Sequence, residues 1–208
     1  RQHLRYLVDA ALSSPEVQSL RGVPAGPCEH HGEGDAYQHT LMVVEAVVDG
    51  CDEDVRVAAA LHDVGKALTP IDEWPAHHDH AELGAPRAAE VARRIGLDPQ
   101  GVRLAEFAAR EHMRAHRALD IRPGKIVALV EEAGGLLPAF VEVCRADHRG
   151  RVSRAAEQGY PEGDFLIDVW LALLVNPEGD LNEKTHMVNR IRGAFEAPSR
   201  ARRGIRPL

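Results

Sequence analysis

Apolar residues recur along nearly the whole chain at the three- and four-residue spacing of a buried helix face. Leu4, Leu7, Val8, Ala11 and Leu12 line one side of a first helix. A Gly/Pro-rich loop, RGVPAGPCEHHGEG, fills residues 21–34. Asp35 is placed to cap the helix AYQHTLMVVEAVVDG, which is expected to stop at Gly50. The next helix, DEDVRVAAALHDVGKAL, takes Asp52 as its cap and ends before Pro70. TPIDEWPAHHDH reads as loop, and AELGAPRAAEVARRIG as a helix closing on Gly96. Helices over about 99–115, 123–133, 138–148, 162–175 and 182–195 follow, separated by turns such as DIRPG and NPEGD. No stretch alternates as a strand would. The expectation is one all-α domain over residues 1–208, with a motif-bearing core at about 29–165 and further helices and a tail at 166–208.

Composition sharpens this picture in two places. Aromatics make up only 4% of the residues while alanine is abundant, so small side chains must fill much of the core, which favours closely packed helices. The net charge of −7 disfavours duplex nucleic acid as a partner and leaves room for a small nucleotide or a single RNA end. The basic tail RARRGIRPL reads as a solvated terminus. Cys28, Cys51 and Cys144 have no paired spacing, as in a reduced, cytoplasmic protein. The longest apolar run, VWLALLV, is far short of the about 20 residues needed to span a bilayer, so no membrane association is expected. The oligomeric state is not legible.

The stretch AALHDVGKALTP, residues 59–70, interrupts an otherwise apolar helix with a histidine, an aspartate and a lysine. Left without partners, an imidazole and a carboxylate buried there would each cost several kcal/mol, on the order of 3 kcal/mol or more. Similar groups sit at other helix positions. His39 lies in a first turn, His80 opens a helix, His112 and His116 share one face, and Asp147 ends PAFVEVCRADHRGR. Taken singly, each is a cap, a solvated residue or half of an ion pair. Taken together, imidazole and carboxylate on alanine-rich helices are the ligand types of divalent Mn, Fe, Co, Ni and Zn, with Mg as a further candidate.

HDVGK, preceded by YQHTLMV and followed by WPAHHDHAELGA, EHMRAH and ADHRGR, resembles the HD superfamily of metal-dependent phosphohydrolases. Within it, the sequence is most similar to the HD domain of bacterial CCA-adding tRNA nucleotidyltransferases, over residues of about 29–165. The 208 residues contain no counterpart of the nucleotidyltransferase head of those enzymes and no phosphate-binding P-loop. The resemblance implies an HD-domain helical bundle. It implies His39, His62, Asp63 and Asp147 as the ligands of one ion, with His80 and His112 added where a second ion is held and the Asp63 carboxylate bridging the two. His116 has a counterpart in the tRNA-enzyme branch and is read as lying near the substrate, not on metal. Lys66 matches the lysine of the HDxGK motif, and Arg149 and Arg151 match the RGR that follows the last aspartate.

The expected reaction is hydrolysis of a phosphoester by a metal-activated water, with one or two ions bound. Asp63 serves as ligand and secondary base. Lys66, Arg149 and Arg151 neutralise phosphoryl charge, and His112 or His116 protonates the leaving group. The implied substrates are 2′,3′-cyclic phosphates and phosphomonoesters of nucleotides or RNA 3′-ends. Three alternatives share the same ligands: a 5′-deoxynucleotidase, an HD-type di-iron oxygenase, and a non-catalytic module that holds metal and nucleotide.

Overall fold

The computed structural model describes residues 6–27, 32, 34–152 and 158–203, with side chains up to residue 195. Leu4, Cys28, His30, His31 and the side chains of the tail from Arg200 lie outside the described residues. The helices are α1 (Tyr6–Leu12), α2 (Pro15–Gln18), α3 (Ala36–Ala46), α4 (Glu53–Leu61), α5 (His80–Ile95), α6 (Pro99–Ala115), α7 (Pro123–Ala133), α8 (Leu137–Arg149), α9 (Pro161–Val175) and α10 (Leu181–Arg203). Tight 3-10 turns occupy Val64–Leu68, Ile71–Glu73 and Gly134–Leu136. Among the described residues there is no strand, only an isolated bridge between Pro24 and Asp35. The bundle is all-α, and none of its described helices is long and apolar enough to cross a membrane.

The helix ends follow local chemistry. Asp35 accepts a hydrogen bond from the Gln38 amide at 2.8 Å, and Asp98 one from the Gly101 amide at 2.8 Å, each satisfying an orphan donor of a first turn. Gly96 ends α5 in the left-handed region at φ +96°, where a Cβ would be strained. Asp52 precedes α4 without capping it through its side chain. Its neighbour Glu53 instead reaches across to accept from the Leu7 and Val8 amides, so α4 caps the start of α1.

Two expected helices end early. The helix from Asp35 stops at Ala46, not Gly50, with Val47 extended as its C-cap, and arginines take carbonyls left at and beyond its end. Arg56 donates to Val44 O at 3.1 Å and Val48 O at 3.3 Å, and Arg149 to Ala46 O at 3.0 Å. The helix from Asp52 breaks at His62 and Asp63 and resumes as a 3-10 turn. The cause is the close approach of Gly65 to α5. A Cβ there would lie 1.9 Å from His80 O and 2.7 Å from the Gly84 amide nitrogen. Only a glycine on a tightened turn fits that gap, and Gly84 is the matching small residue on the facing helix.

The core is built of small side chains around a few large ones. Helix α6 packs along both α4 and α5, and α8 packs against α3, α4 and α6. Ala58, Ala59, Ala88, Ala92, Ala105, Ala108 and Ala109 are all buried, which lets these axes come close. Phe107 meets Phe140 edge to face at 4.9 Å between ring centres. Helix α9 lies on α7 and α8, and α10 covers α7 and α9. The ends of α3, α4, α5, α6 and α8 that carry His39, His62, His80, His112 and Asp147 converge on one buried point.

Candidate metal centre

Two groups of ligand atoms meet at that point. His39, His62 and Asp147 form one, and Asp63, His80 and His112 the other, with the atoms of each group within 4.8 Å of one another. The Asp63 carboxylate lies between the groups. Its Oδ2 is 3.2 Å from His62 Nε2 and 3.8 Å from His39 Nε2, while its Oδ1 is 3.5 Å from both His80 Nε2 and His112 Nε2. Asp147 Oδ1 is 3.0 Å from His39 Nε2 and 3.9 Å from His62 Nε2. The break after α4 makes this possible: on a continued helix His62 and Asp63 would diverge by about 100°.

The proton positions of three imidazoles follow from their neighbours. His62 Nδ1 donates to Ala59 O at 2.8 Å, His80 Nδ1 to His77 O at 2.8 Å, and His112 Nδ1 to Ala109 O at 3.0 Å. A carbonyl only accepts, so each ring turns the lone pair of Nε2 toward the centre. Burial keeps His112 well below the usual histidine range and His80 below it, so both rings are neutral near pH 7. Their Nε2 atoms nevertheless face each other at 3.2 Å. Two opposed lone pairs repel unless a cation lies between them and an anion.

The side chains present therefore fit a divalent ion. His62 Nε2 and Asp63 Oδ1 are buried polar atoms with no hydrogen-bond partner among the described residues, and both point into the same space. Such atoms are costly unless something positive occupies that space. Nitrogen and carboxylate oxygen ligands on several helices, with backbone carbonyls holding the outer ring nitrogens, are the donor set of borderline transition ions.

Basic neighbours keep both aspartates charged. Burial alone would raise Asp63, but His62 and Lys66 outweigh it and hold the carboxyl well below the usual range. Asp147 is likewise held well below that range, against its burial, by Arg151 and His116. Arg151 grips Asp147 with Nε at 3.2 Å and Nη2 at 2.9 Å, and His116 Nε2 lies 2.5 Å from Asp147 Oδ2. Arg151 and His116 are also the more open groups at the centre, with side chains 22% and 12% exposed.

Two expected positions need correcting. Lys66 is buried and already engaged, with two of its three N–H donors taken within the protein. It is 7% exposed, and its Nζ donates to Asp63 Oδ2 at 2.7 Å and to Ala25 O at 2.6 Å. Arg149 is not at the centre: it donates to Ala46 O and Glu142. The reason is helical phase. Two residues beyond Asp147 the chain has turned by about 200°, whereas Arg151, four residues on, returns to the same side. The fold also recruits two residues outside the expected set. His77 is fully buried beside His80, and Tyr160 packs on His116 with ring centres 5.5 Å apart. The signal for His77 was the doubled histidine in WPAHHDH; nothing near Tyr160 marked it.

Residues 36–148 match the HD domain family. Three relatives bear the name multifunctional CCA protein. That of Halorhodospira halophila is 47% identical over 163 residues, covering 73% of this chain and 38% of the relative. That of Hahella chejuensis is 36% identical over 178 residues, covering 81% and 42%. That of Methylococcus capsulatus is 39% identical over 159 residues, covering 73% and 37%. The chain spans about two fifths of the length of these relatives. With more than half of its residues matched and its His/Asp groups abutting at the helix ends, the chain belongs to the HD domain family, whose members are metal-dependent hydrolases.

Proposed function

We propose that this chain hydrolyses small phosphoesters, its preferred substrates being 2′,3′-cyclic phosphates and 2′- or 3′-phosphomonoesters of nucleotides or RNA ends. The observation that carries the proposal is the pair of abutting ligand groups sharing Asp63, with unpaired His62 Nε2 and Asp63 Oδ1 aimed into the same space. His39, His62 and Asp147 would hold one ion and His80 and His112 a second, with Asp63 shared between the two. Ions held there supply a water made acidic enough to deprotonate near neutral pH and polarise a phosphoryl oxygen.

The remaining roles belong to the protein. Arg151 uses Nε on Asp147 and Nη2 on Asp147 and His116, so the Nη1 donors are left for phosphoryl oxygens at the open side of the centre. His116, on the same side, bonds Asp147 through Nε2; burial lowers its pKa, so it passes a proton to the leaving alkoxide only after first taking one up. Lys66 acts at one remove, keeping Asp63 ionised and fixed in direction. The burial of the other ligands excludes bulk water, which strengthens each of these interactions. A small anionic substrate suits a chain of net charge −7, because it needs this one pocket and no basic face.

The test loads the chelator-treated protein with Mn2+, Co2+ or Ni2+ and offers 2′,3′-cyclic AMP beside 5′-dAMP. Cleavage of the cyclic phosphate with at least one metal is the expected result. Verified loading without cleavage of either ester overturns the hydrolase reading, and a preference for 5′-dAMP keeps the reaction and replaces the substrate.

A further inference from the structure

His77 takes no part in the chemistry above, yet it has the most constrained setting of any histidine near the centre. It is 1% exposed, and its backbone sits in the left-handed region at φ +50°, an uncommon conformation for a residue with a side chain. Both ring nitrogens are engaged. Nε2 donates to Pro24 O at 2.7 Å, and Nδ1 lies 2.7 Å from Thr69 Oγ1. Burial favours the neutral ring. With Nε2 carrying the proton, Nδ1 shares the single Thr69 hydroxyl proton with Lys66 O, 2.8 Å from that hydroxyl, and the hydroxyl oxygen accepts from the Trp74 indole N–H at 3.2 Å. One imidazole thus ties the 3-10 turns that follow Asp63 to the backbone of the segment before α3.

The consequence falls on the next ligand. The left-handed turn at residue 77 aims the His77 carbonyl at the start of α5, where it accepts from the His80 amide at 3.2 Å and from His80 Nδ1 at 2.8 Å. That second bond sets the tautomer of His80 and directs its Nε2 at Asp63 Oδ1. His62 and His112 take the equivalent bond from carbonyls inside or at the end of their own helices, which the helix holds rigid. His80 is the first residue of α5, so the carbonyl three residues back is in a loop. The backbone bond from His77 N to Glu73 O at 3.1 Å and the two ring contacts of His77 together keep that carbonyl in place.

We infer that His77 is a positioning residue that decides occupancy of the Asp63–His80–His112 group while leaving the His39–His62–Asp147 group nearly untouched. A backbone carbonyl cannot be mutated, but the side chain that aims it can. Losing an outer partner of a ligating histidine typically weakens a metal site by about 10–100-fold. The inference rests on the two-ion reading of the centre.

The experiment titrates Mn2+ into the chelator-treated full chain, by calorimetry for stoichiometry and by electron paramagnetic resonance for magnetic coupling between neighbouring ions. The wild type is expected to take two ions and show a coupled pair. His77→Ala is expected to bind the first ion within about threefold of wild type and the second about 10–100-fold more weakly, with the signal of an isolated ion at intermediate loading. Retention of the first ion shows that the variant is folded. Should His77→Ala fail to fold, Thr69→Val decides the question, because it leaves His77 in place and removes the hydroxyl that His77 Nδ1 and Lys66 O share; a weakened second ion with the first retained is the expected result. Two ions bound with wild-type affinities in the folded variant overturn the role of His77. Failure of the wild type to bind any ion defeats the centre itself, a distinguishable outcome.

Discussion

At the scale of single residues, the two arginines after Asp147 separate site from scaffold. Arg151 returns to the centre and grips Asp147, while Arg149 closes the end of α3. Replacing Arg151 with Met is expected to lower kcat on a cyclic phosphate by about 10²–10³-fold, the usual effect of removing a donor aimed at developing charge. Arg149→Met should leave kcat within about twofold and cost at most about 1 kcal/mol in a denaturant melt. Equal losses in the two variants would show that the open side of the centre has been misplaced. The distinction was not available in the sequence, where the helix is expected to end at about residue 148, before both arginines; the resemblance, which matched both arginines of RGR, did not separate them either.

At the scale of elements, most helix limits were legible because their signals are local. Asp35 and Asp98 cap as expected, Gly96 closes α5, and α6 and α7 run over the expected residues. The break between α4 and its 3-10 turn was not legible. It depends on a contact between Gly65 and Gly84, two glycines far apart in sequence, and each alone reads as a tolerated helical glycine. That contact sets the angle at which His62 and Asp63 reach the centre. Gly65→Ala would place a methyl 1.9 Å from His80 O, so α5 must move. The expected cost is about 3 kcal/mol, seen as a drop in Tm on the order of 6–12 °C, together with weaker binding of the ion near His80. A Tm within 1–2 °C of wild type, roughly the reproducibility of a melt, would mean that the two elements are not rigidly packed. The six expected ligands were legible as residue types, but their convergence rests on this long-range packing.

At the scale of the whole molecule, the centre sets how stability depends on pH and on metal. Without metal, two kinds of group act in the same direction. Asp63 and Asp147 are held well below the usual carboxylate range, so their contribution is present above the unfolded value of about 4 and is lost as pH falls through the folded one. His80, His112 and His116 are lowered by burial. The unfolded chain therefore takes up their protons first, and stability begins to fall below about pH 6.5. Thermal melts in chelator from pH 8 to pH 4 should show Tm declining from about pH 6.5 downward; a flat profile would contradict the neutral rings. An ion supplied at about 100 times its Kd should add about 2.7 kcal/mol at neutral pH.

The bonds from His62, His80 and His112 to carbonyls three residues back have a further outcome. The His62 and His112 rings are buckled to the closing turns of their own helices and the His80 ring to the loop that enters α5, so fraying of those segments and escape of the rings are a single event. Hydrogen exchange offers a direct view of it: loading with metal should slow exchange at the amides of Glu111 and His112 much more than at mid-helix amides such as Phe107. In this protein the grip on an ion doubles as a gauge of how tightly the helix tips are wound.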